Sequence, residues 1–228
     1  MKISFIEKKT DAPGVASFIF RPSEPIIWKA GQFFHYVLHH EPTDNRGSDR
    51  WFTIATAPSE GLIMITIRLT DEKGSSFKRA LVDLKIGDAI EISDLDGDFT
   101  VEDPTKEYVF IAGGIGITPF RSILKELDIK GSRLAITLLY AVRDQNIVYK
   151  DELEAFAKNN PAFKMHYLIS PERIDVTKIK TLVPDMQKPM FYISGPESMV
   201  ESLGNALKES GIPADHLKQD WFPGYPME

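Results

Sequence analysis

The amino-acid sequence predicts two units in series: an antiparallel β-barrel over residues 1–102, then an α/β domain with a parallel sheet over residues 103–228. Three observations lead to this fold class. Short alternating strands with turn residues between them fill the first hundred positions. Strand patterns then alternate with helical patterns, which is typical of a parallel sheet. A glycine-rich stretch, residues 108–120, joins a buried strand to a helix at the start of the second unit.

Composition limits the classes of function. The chain has 228 residues, of which 43% are hydrophobic, and a net charge of -6 that argues against nucleic acid as a main partner. It has no cysteine, which excludes disulfides and thiolate-bound metal or iron–sulfur groups within these residues. The five histidines show no metal-site spacing, so no metal site is predicted. No apolar run suits a signal peptide or a membrane span, and the expectation is a cytoplasmic protein.

The first unit is predicted to contain six strands and one helix. The four residues 58–61 separate two apolar strands, and this spacing predicts that those strands pair as a hairpin. The helix is expected at 75–84, with Phe77, Leu81 and Leu84 on one face. The predicted strands are 2–8, 15–21, 33–38, 50–57, 62–69 and 89–93.

Two segments of this unit carry residues suited to a cofactor. In the strand that begins at Arg50, alternation separates Arg50 and Phe52 from Trp51 and Thr53. An arginine suits bidentate phosphate binding and an aromatic ring suits a flat ligand, although a surface arginine beside core aromatics gives the same pattern. At residues 73–78, a serine can cap the helix and its free N–H groups can hold an anion, and a plain helix cap is the alternative.

The glycine-rich stretch predicts a phosphate-binding turn. Gly113, Gly114 and Gly116 let the backbone approach a ligand, and the helix that follows directs its N–H groups and positive dipole end toward that turn. Pro119 suits the first helical turn, where its missing N–H costs no hydrogen bond. Pro119 also stands where the third glycine of the usual dinucleotide fingerprint belongs, so an ordinary strand-to-helix turn stays open as an alternative.

The second unit is predicted to be a parallel sheet with helices on both faces. In such sheets, ligands bind beyond the carboxyl ends of the strands, where residues 113–119, 141–144 and 194–199 converge. Arg143 follows the second strand, and an arginine there suits the extra phosphate of NADP, whereas a surface ion pair is the alternative. The predicted strands are 108–112, 133–140, 163–169, 189–193 and 215–222, and the predicted helices are 118–127, 150–159, 175–182 and 196–209.

The order of these motifs resembles the ferredoxin–NADP reductase family over essentially the whole chain. Arg50-Trp51-Phe52-Thr53 resembles the family's Arg-x-Tyr-Ser/Thr flavin motif, and residues 74–77 resemble its flavin-phosphate segment. Residues 111–119 match its pyridine-nucleotide loop, residues 138–143 resemble the next strand, and residues 192–200 resemble its Cys-Gly-Pro segment. The resemblance implies an N-terminal flavin-binding β-barrel and a C-terminal NAD(P)-binding α/β domain.

The resemblance also implies roles for single residues. Arg50 would pair with the flavin phosphate, Phe52 would pack on the isoalloxazine ring, and the Thr53 hydroxyl would sit near flavin N5. With Ser194, Thr53 is the predicted catalytic pair at the hydride site. The remaining cofactor-binding residues implied are Trp51, Gly74, Ser75, Ser76, Gly113, Gly114, Gly116, Thr118, Pro119, Arg143, Gly195, Pro196 and Tyr225.

Departures from the family pattern limit what the resemblance implies. Phe52 lacks the hydroxyl of the usual tyrosine, and Ser194 replaces the usual cysteine. The segment over residues 170–175 is shorter than in many members of the family. This leaves the choice between NAD and NADP open. Trp221, Phe222 or Tyr225 would shield the flavin, with Tyr225 favoured because it lies beyond the last predicted strand.

The implied activity is flavin-dependent NAD(P)H oxidoreduction. The resemblance implies FAD in preference to FMN, with NADPH or NADH as co-substrate. Electrons would pass to a separate acceptor, a small redox protein such as ferredoxin or flavodoxin, because the chain has no cysteine for a fused iron–sulfur domain. Two alternatives stay open: a reductase of a small acceptor such as free flavin, a ferric chelate or a quinone, and a nucleotide-binding component of a larger complex.

Overall fold

The computed structural model describes residues 1–69, 74–132 and 135–222. Its first half is one antiparallel sheet of six strands in the order β4-β3-β6-β1-β2-β5. This order makes the sheet curl around a single core instead of folding as a simple meander. The strands are β1 (Lys2–Ala12), β2 (Val15–Pro22), β3 (Phe33–Val37), β4 (Asp49–Thr53), β5 (Ile63–Arg68) and β6 (Ala89–Asp96).

Strand β2 is buried on both faces, which explains its almost continuous apolar sequence. Phe18 and Phe20 point into the core of the curled sheet. Val15 and Ile19, on the opposite face, pack in the core of the second half of the molecule. Strand β5 shows the same division, with Ile65 in the first core and Met64 in the second. The second unit therefore packs against one face of β2 and β5.

A short helix, α1 (Ser76–Val82), closes one end of the curled sheet. Phe77 and Leu81 are fully buried in the same core as Phe18 and Phe20. The Ser75 hydroxyl caps the helix by accepting a hydrogen bond from the Lys78 N–H at 3.3 Å. The helix predicted at 75–84 therefore forms, and it ends two residues early.

The second half is a five-stranded parallel sheet in the order β11-β10-β7-β8-β9. Chain order reverses between β7 and β10, which makes that point the switch of a doubly wound sheet. The strands are β7 (Tyr108–Gly113), β8 (Ile136–Val142), β9 (Lys164–Ile169), β10 (Met190–Pro196) and β11 (Leu217–Phe222), and the helices are α2 (Ile117–Ile129), α3 (Lys150–Asn159), α4 (Val176–Leu182) and α5 (Glu197–Glu209).

The helices cover the two faces of this sheet. Phe120 of α2 stacks on Phe110 of β7 with ring centroids 4.7 Å apart, and α3 joins the same core through Phe156. On the other face, Ile179 of α4 and Leu207 of α5 are fully buried against the sheet. Because both faces are covered, the inner strands β7 and β8 are almost continuously apolar.

Helix α2 also binds the first unit through polar contacts. Arg121 is 7% exposed and donates to the Ala55 carbonyl oxygen at 3.0 Å. Its guanidinium forms ion pairs with Glu60 of the first unit and with Glu152 of α3. The Ser122 hydroxyl donates to the Thr56 carbonyl oxygen at 2.6 Å. These contacts fix the segment after β4 against the helix that begins at the glycine-rich loop.

The predicted fold class is confirmed, and one pairing within it was wrong. Strands β4 and β5 do not form a hairpin, because β4 pairs with β3 and β5 pairs with β2. Residues Pro58–Glu60 form a 3-10 turn instead, and a backbone hydrogen bond from Ala55 N to the Met64 oxygen at 2.8 Å links the two segments. The length of the turn predicted that β4 and β5 are neighbours in the sheet. The two strands lie instead at opposite ends of the sheet order, where each pairs with a different strand.

Within the described ranges, no helix has both the length and the apolar character needed to cross a membrane.

Candidate functional site

The glycine-rich loop and the end of β10 pack backbone against backbone at the switch point of the parallel sheet. A Cβ on Gly116 would lie 2.3 Å from the Ser194 carbonyl oxygen, and a Cβ on Gly113 would lie 2.5 Å from Met199 Sδ. A Cβ on Gly195 would lie 3.2 Å from the Gly113 Cα. The segments 113–119 and 194–199, predicted to converge, therefore meet in direct contact.

Gly114 forms the outer edge of this loop, and a cation from the first unit lies beside it. Gly114 has a φ of +53°, a conformation that side chains rarely adopt, and Tyr140 Oη donates to its carbonyl oxygen at 3.0 Å. A Cβ on Gly114 would be 3.7 Å from Arg68 Nη2. The partly exposed Arg68 guanidinium at the end of β5 therefore adds positive charge to a loop shaped for anions.

Ser194 and Asp220 form a hydrogen-bonded pair across the neighbouring strands β10 and β11. The two residues lie opposite each other in the β10–β11 register, and Ser194 Oγ donates to Asp220 Oδ2 at 3.3 Å. Ser194 is fully buried and Asp220 is half-buried. Loss of hydration on burial raises the pKa of the Asp220 carboxyl to about 6, against the smaller opposing effect of the Ser194 hydrogen bond.

The other predicted residues of the second unit have different surroundings. Thr118 and Pro119 are buried in the first turn of α2, where the Thr118 hydroxyl donates to the Ile115 carbonyl oxygen at 3.1 Å. Thr118 and Pro119 therefore help to fix the conformation of the glycine-rich loop. Arg143 is exposed, directly after β8. Pro196 is the last residue of β10 and lies directly before the N-terminus of α5.

The predicted flavin motif divides between the two faces of β4. Phe52 packs on Tyr36 and Phe77, and the Arg50 guanidinium lies over the Phe77 ring, 5.4 Å from its centroid. Trp51, on the opposite face, stacks on His35 with ring centroids 4.7 Å apart and is 51% exposed. The structure therefore brings Arg50 and Phe52 together at the N-terminal end of α1 and keeps Trp51 apart from them.

One of the two terminal guanidinium nitrogens of Arg50 is hydrogen-bonded, and the other has no partner among the described residues. Its Nη1 donates to the Arg46 carbonyl oxygen at 2.7 Å. Its Nη2 is buried and has no hydrogen-bond partner among the described residues. A buried guanidinium N–H without an acceptor is costly, so this atom fits a site that takes an anionic ligand.

The predicted phosphate segment, residues 74–76, is buried and its polar groups are already engaged. The Ser76 N–H donates to Asp44 Oδ2 at 2.7 Å, and the Gly74 carbonyl oxygen accepts from Arg46 Nη2 at 3.1 Å. His40 Nε2 lies 2.8 Å from Ser76 Oγ. The loop between β3 and β4 therefore folds over the start of α1, a contact that the sequence did not predict.

Thr53 is the last residue of β4 and is 5% exposed. Two and three residues further on, Ala55 and Thr56 accept the hydrogen bonds from α2. Helix α2 starts at the glycine-rich loop. Thr53 therefore ends the strand whose next residues are hydrogen-bonded to the helix of the second predicted cofactor region. Its assignment to the hydride site stays a prediction.

Of the three aromatic residues considered as a cover for the flavin, Trp221 lies beside the crevice. It is opposite Gly195 in the β10–β11 register and is 49% exposed. Tyr225 lies outside the described residues, as does the side chain of Phe222, so their proposed role stays a prediction.

The sequence analysis did not identify three residues of this site: Asp44, Arg68 and Asp220. Asp44 lies in an irregular loop, Arg68 ends a strand of ordinary appearance, and Asp220 lies in a segment noted only for its aromatic residues. Each acquires its role from a neighbour more than twenty positions away, so no local pattern marked it. The raised pKa of Asp220 and the position of Arg68 follow from packing alone.

Comparison with known proteins supports the fold and the family. Residues 110–204 match the family model of the oxidoreductase NAD-binding domain. The chain is 29% identical over 222 residues to one component of the Na(+)-translocating NADH-quinone reductase of Klebsiella pneumoniae, covering 86% of this chain and 53% of that protein. It is 28% identical over 177 residues to the toluate 1,2-dioxygenase electron transfer component of Pseudomonas putida, covering 73% and 52%. The chain spans about half the length of these relatives.

Two solved structures share the arrangement of both sheets. The flavohem-like FAD/NAD-binding domain of nitric oxide dioxygenase from Vibrio cholerae superposes with a TM-score of 0.84 at 19% identity, covering 97% of this chain and 98% of that one. Ferredoxin–NADP+ reductase from Plasmodium falciparum gives a TM-score of 0.82 at 20% identity, covering 97% and 95%. These likenesses establish the fold of the whole chain.

The chain thus joins an antiparallel sheet to a parallel doubly wound sheet, and the second of these matches the oxidoreductase NAD-binding domain over residues 110–204. The chain has the fold of ferredoxin–NADP+ reductase, the family that the order of its motifs resembles.

Proposed function

We propose that this protein is a flavin-dependent NAD(P)H oxidoreductase that passes electrons from a nicotinamide cofactor to a separate acceptor. One observation carries the proposal: Ala55 and Thr56, which follow directly after β4, are bonded to the helix that starts at the Gly113–Gly116 loop. A ligand held by β4 and a ligand held by the loop would therefore meet at one crevice. FAD is the flavin proposed, as in the family, with FMN as the alternative, and the flavin-binding unit would comprise residues 1–102.

The residues of the first unit fit a flavin. The buried Arg50 Nη2 lacks an acceptor among the described residues, and a phosphate oxygen would supply one. Phe52 is half-buried beside Phe77, so part of its ring is free to pack on a flat ligand. When bound, the flavin would supply the redox chemistry, since it takes up a hydride and releases electrons singly or in pairs.

The residues of the second unit would bind and orient the nicotinamide cofactor. The backbone N–H groups at Gly114–Gly116 and the Arg68 guanidinium would hold its phosphates. Ser194 and Gly195 would shape the nicotinamide pocket. The Asp220 carboxylate, ionised above a pKa of about 6, would stabilise the positive charge that the nicotinamide ring gains when it gives up hydride.

The choice between NADH and NADPH depends on Arg143 in this proposal. Arg143 is exposed at the end of β8, next along the sheet from the glycine-rich loop. A guanidinium at this position would pair with a ribose phosphate, and so the proposal favours NADPH.

A cytoplasmic location also stays a prediction.

The electrostatics of the crevice rim favour a second candidate, a reductase of a small acceptor. Thr53 pairs with Phe33 in the sheet, and Phe33 pairs with the exposed Asp96. Asp94 and Asp98 are exposed on the same rim. A carrier protein with an acidic docking face would meet like charges here, whereas a small neutral acceptor would not.

An anaerobic absorbance spectrum of the purified protein tests the proposal. We expect flavin bands near about 450 nm that bleach on addition of NADPH or NADH. The nucleotide that bleaches them faster identifies the physiological donor. A colourless protein that takes up no added FAD, or bands that persist with both nucleotides, would overturn the oxidoreductase assignment.

Assays with and without a carrier then separate the two acceptor classes. Saturable NAD(P)H oxidation with free flavin, a ferric chelate or a quinone as the only acceptor favours the small-acceptor reductase. Turnover that requires added ferredoxin or flavodoxin favours the carrier. The exposed aspartates of the rim predict that any reaction with an acidic carrier accelerates as salt concentration rises, because salt screens the repulsion.

A further inference from the structure

The loop between β3 and β4 delivers a carboxylate to the segment where a flavin phosphate would bind. Asp44 Oδ2 accepts a hydrogen bond from the Ser76 N–H at 2.7 Å, and the Asp44 N–H donates to Ser76 Oγ at 3.0 Å. The two residues are thus doubly bonded across 32 positions of the chain. Ser76 is fully buried by this contact, so its N–H group is closed to solvent.

Three guanidinium groups contact this loop or the residue before Ser75, and one of them, that of Arg46, bonds the carboxylate itself. Arg46 Nη2 lies 2.8 Å from Asp44 Oδ2 and 3.1 Å from the Gly74 carbonyl oxygen. Arg79 Nη1 donates to the same carbonyl oxygen. Arg50 donates to the backbone of this loop through Nη1. The hydrogen bonds from Arg46 and from the Ser76 N–H hold the pKa of Asp44 well below its usual range, so it is an anion at neutral pH.

One carboxylate does not satisfy this cluster. The buried Arg50 Nη2 has no hydrogen-bond partner among the described residues, although Asp44 lies in the loop to which Arg50 is bonded. Both oxygens of the Asp44 carboxylate are engaged, because Oδ2 accepts from Ser76 and from the Arg46 guanidinium and Oδ1 accepts from the Arg46 N–H at 3.0 Å. A phosphate group presents three acceptor oxygens around one centre and can reach more of these donors at once.

We propose that Asp44 is an internal anion that occupies the flavin-phosphate seat and must leave it when the flavin binds. This inference rests on the proposed function. A phosphate and Asp44 require the same Ser76 N–H and the same Arg46 guanidinium, and two anions cannot share donors at hydrogen-bond distance without strong repulsion. Flavin binding is therefore coupled to an outward movement of the loop over residues 39–48.

The coupling makes a directional prediction about affinity. The intrinsic affinity of the arginine cluster for phosphate is reduced by the free energy needed to displace Asp44. Asp44→Asn keeps the size of the side chain and an oxygen that can accept from the Ser76 N–H, and it removes the charge. We expect this variant to bind FAD about tenfold more tightly than the parent chain, because a neutral amide competes less well for the guanidinium groups.

The experiment is a titration of flavin-free protein with FAD and, separately, with riboflavin, followed by quenching of flavin fluorescence. Riboflavin has no phosphate, so its affinity should not change in Asp44→Asn. Asp49→Asn is the matched control: it removes the same charge five positions away, from an exposed carboxylate that is bonded to His35. We expect its FAD affinity to stay within about twofold of the parent value. Thermal unfolding by circular dichroism verifies that both variants are folded.

The outcomes separate this inference from the proposed function. Equal or weaker FAD binding by folded Asp44→Asn would overturn the displacement model and make Asp44 a supporting residue of the site. Tighter binding of riboflavin as well as FAD would also overturn it, because the effect would then not involve phosphate. If the parent chain and both variants bind neither flavin, the proposed function itself fails and this inference falls with it.

Discussion

The two candidate phosphate sites of this protein are built in opposite ways. The site at α1 is built largely from the side chains of Arg46 and Arg50 with the Ser76 N–H, and the Asp44 carboxylate bonds to Arg46 and to that N–H. The site at α2 consists of backbone, and its shape is fixed by contacts that leave no room for a Cβ at Gly113 or Gly116. Side chains can rearrange around a new anion, whereas closely packed backbone cannot. The first site is therefore adjustable and the second is rigid.

Substitution in the rigid site should have the largest effect. In Gly116→Ala, the new Cβ would lie 2.3 Å from the Ser194 carbonyl oxygen, so the loop and the end of β10 must separate. A displacement of about 1 Å can cost about 100-fold in rate, and we expect a loss of that order in the rate of flavin reduction by NAD(P)H. Stopped-flow absorbance of the flavin-loaded variant measures this rate.

Gly131→Asn serves as the control for that substitution. Gly131 has a φ of +65°, which asparagine tolerates, and a Cβ there meets no atom within 4 Å among the described residues. We expect its rate of flavin reduction to match the parent. A Gly116→Ala variant that reduces flavin at the parent rate would contradict the view that the backbone contact defines the site.

Substitution in the adjustable site should change affinity and leave the fold intact. Arg50→Ala removes the guanidinium whose Nη2 lacks an acceptor among the described residues, and with it a charge-assisted contact to the flavin phosphate. Such bonds contribute about 1.5–3 kcal/mol, so we expect FAD to bind about 10- to 100-fold more weakly. The measurement is the FAD dissociation constant, with the exposed Arg21→Ala as control. Unchanged FAD affinity would remove Arg50 from the site.

Arg68 tests whether the rigid site also needs a side chain. Its Nη2 lies beside Gly114 but belongs to the first unit. We expect Arg68→Gln to raise the KM for NAD(P)H by about tenfold, since one charged hydrogen bond is lost, with no change in FAD affinity. Steady-state kinetics and the FAD titration together separate the two sites. A change in FAD affinity with an unchanged KM would assign Arg68 to the other site.

The smallest effect concerns the pH dependence of stability through Asp220. Its pKa is raised from 3.8 to about 6, so the folded state holds the proton more tightly and stability is lost as the pH rises through that range. Asn cannot ionise, and Asp220→Asn should be more stable than the parent at pH 8 by about 1–2 kcal/mol, or about 3–6 °C in Tm. At pH 3 the two proteins should unfold at similar temperatures.

Thermal unfolding of both proteins from pH 3 to pH 8 checks this, with Asp215→Asn, an exposed carboxylate outside the crevice, as control. The control should not show a pH-dependent gain. A gain for Asp220→Asn that is the same at pH 3 and pH 8 would show that its cause is packing and not ionisation.

Local sequence patterns were sufficient to predict the two-unit fold and the position of most elements. Strands buried on one or both faces carry their periodicity in the chain, and the helix α3 (Lys150–Asn159) has the predicted bounds for that reason. The glycine-rich loop was also readable, because a turn that brings backbone close to a ligand or another strand requires glycine wherever it occurs. These features leave a recognisable pattern within a few consecutive residues.

The pairing of elements and the meeting of distant groups depend instead on tertiary packing. Strands β4 and β5 lie at opposite ends of the sheet order and pair with β3 and β2, and turn length alone predicted their partners wrongly. Asp44 reaches Ser76, Arg68 reaches Gly114 and Ser194 reaches Asp220 across 26 to 46 positions of the chain. A polar side chain has the same local pattern whether it lies in water or beside such a partner, so only the packed structure shows which polar side chains have one.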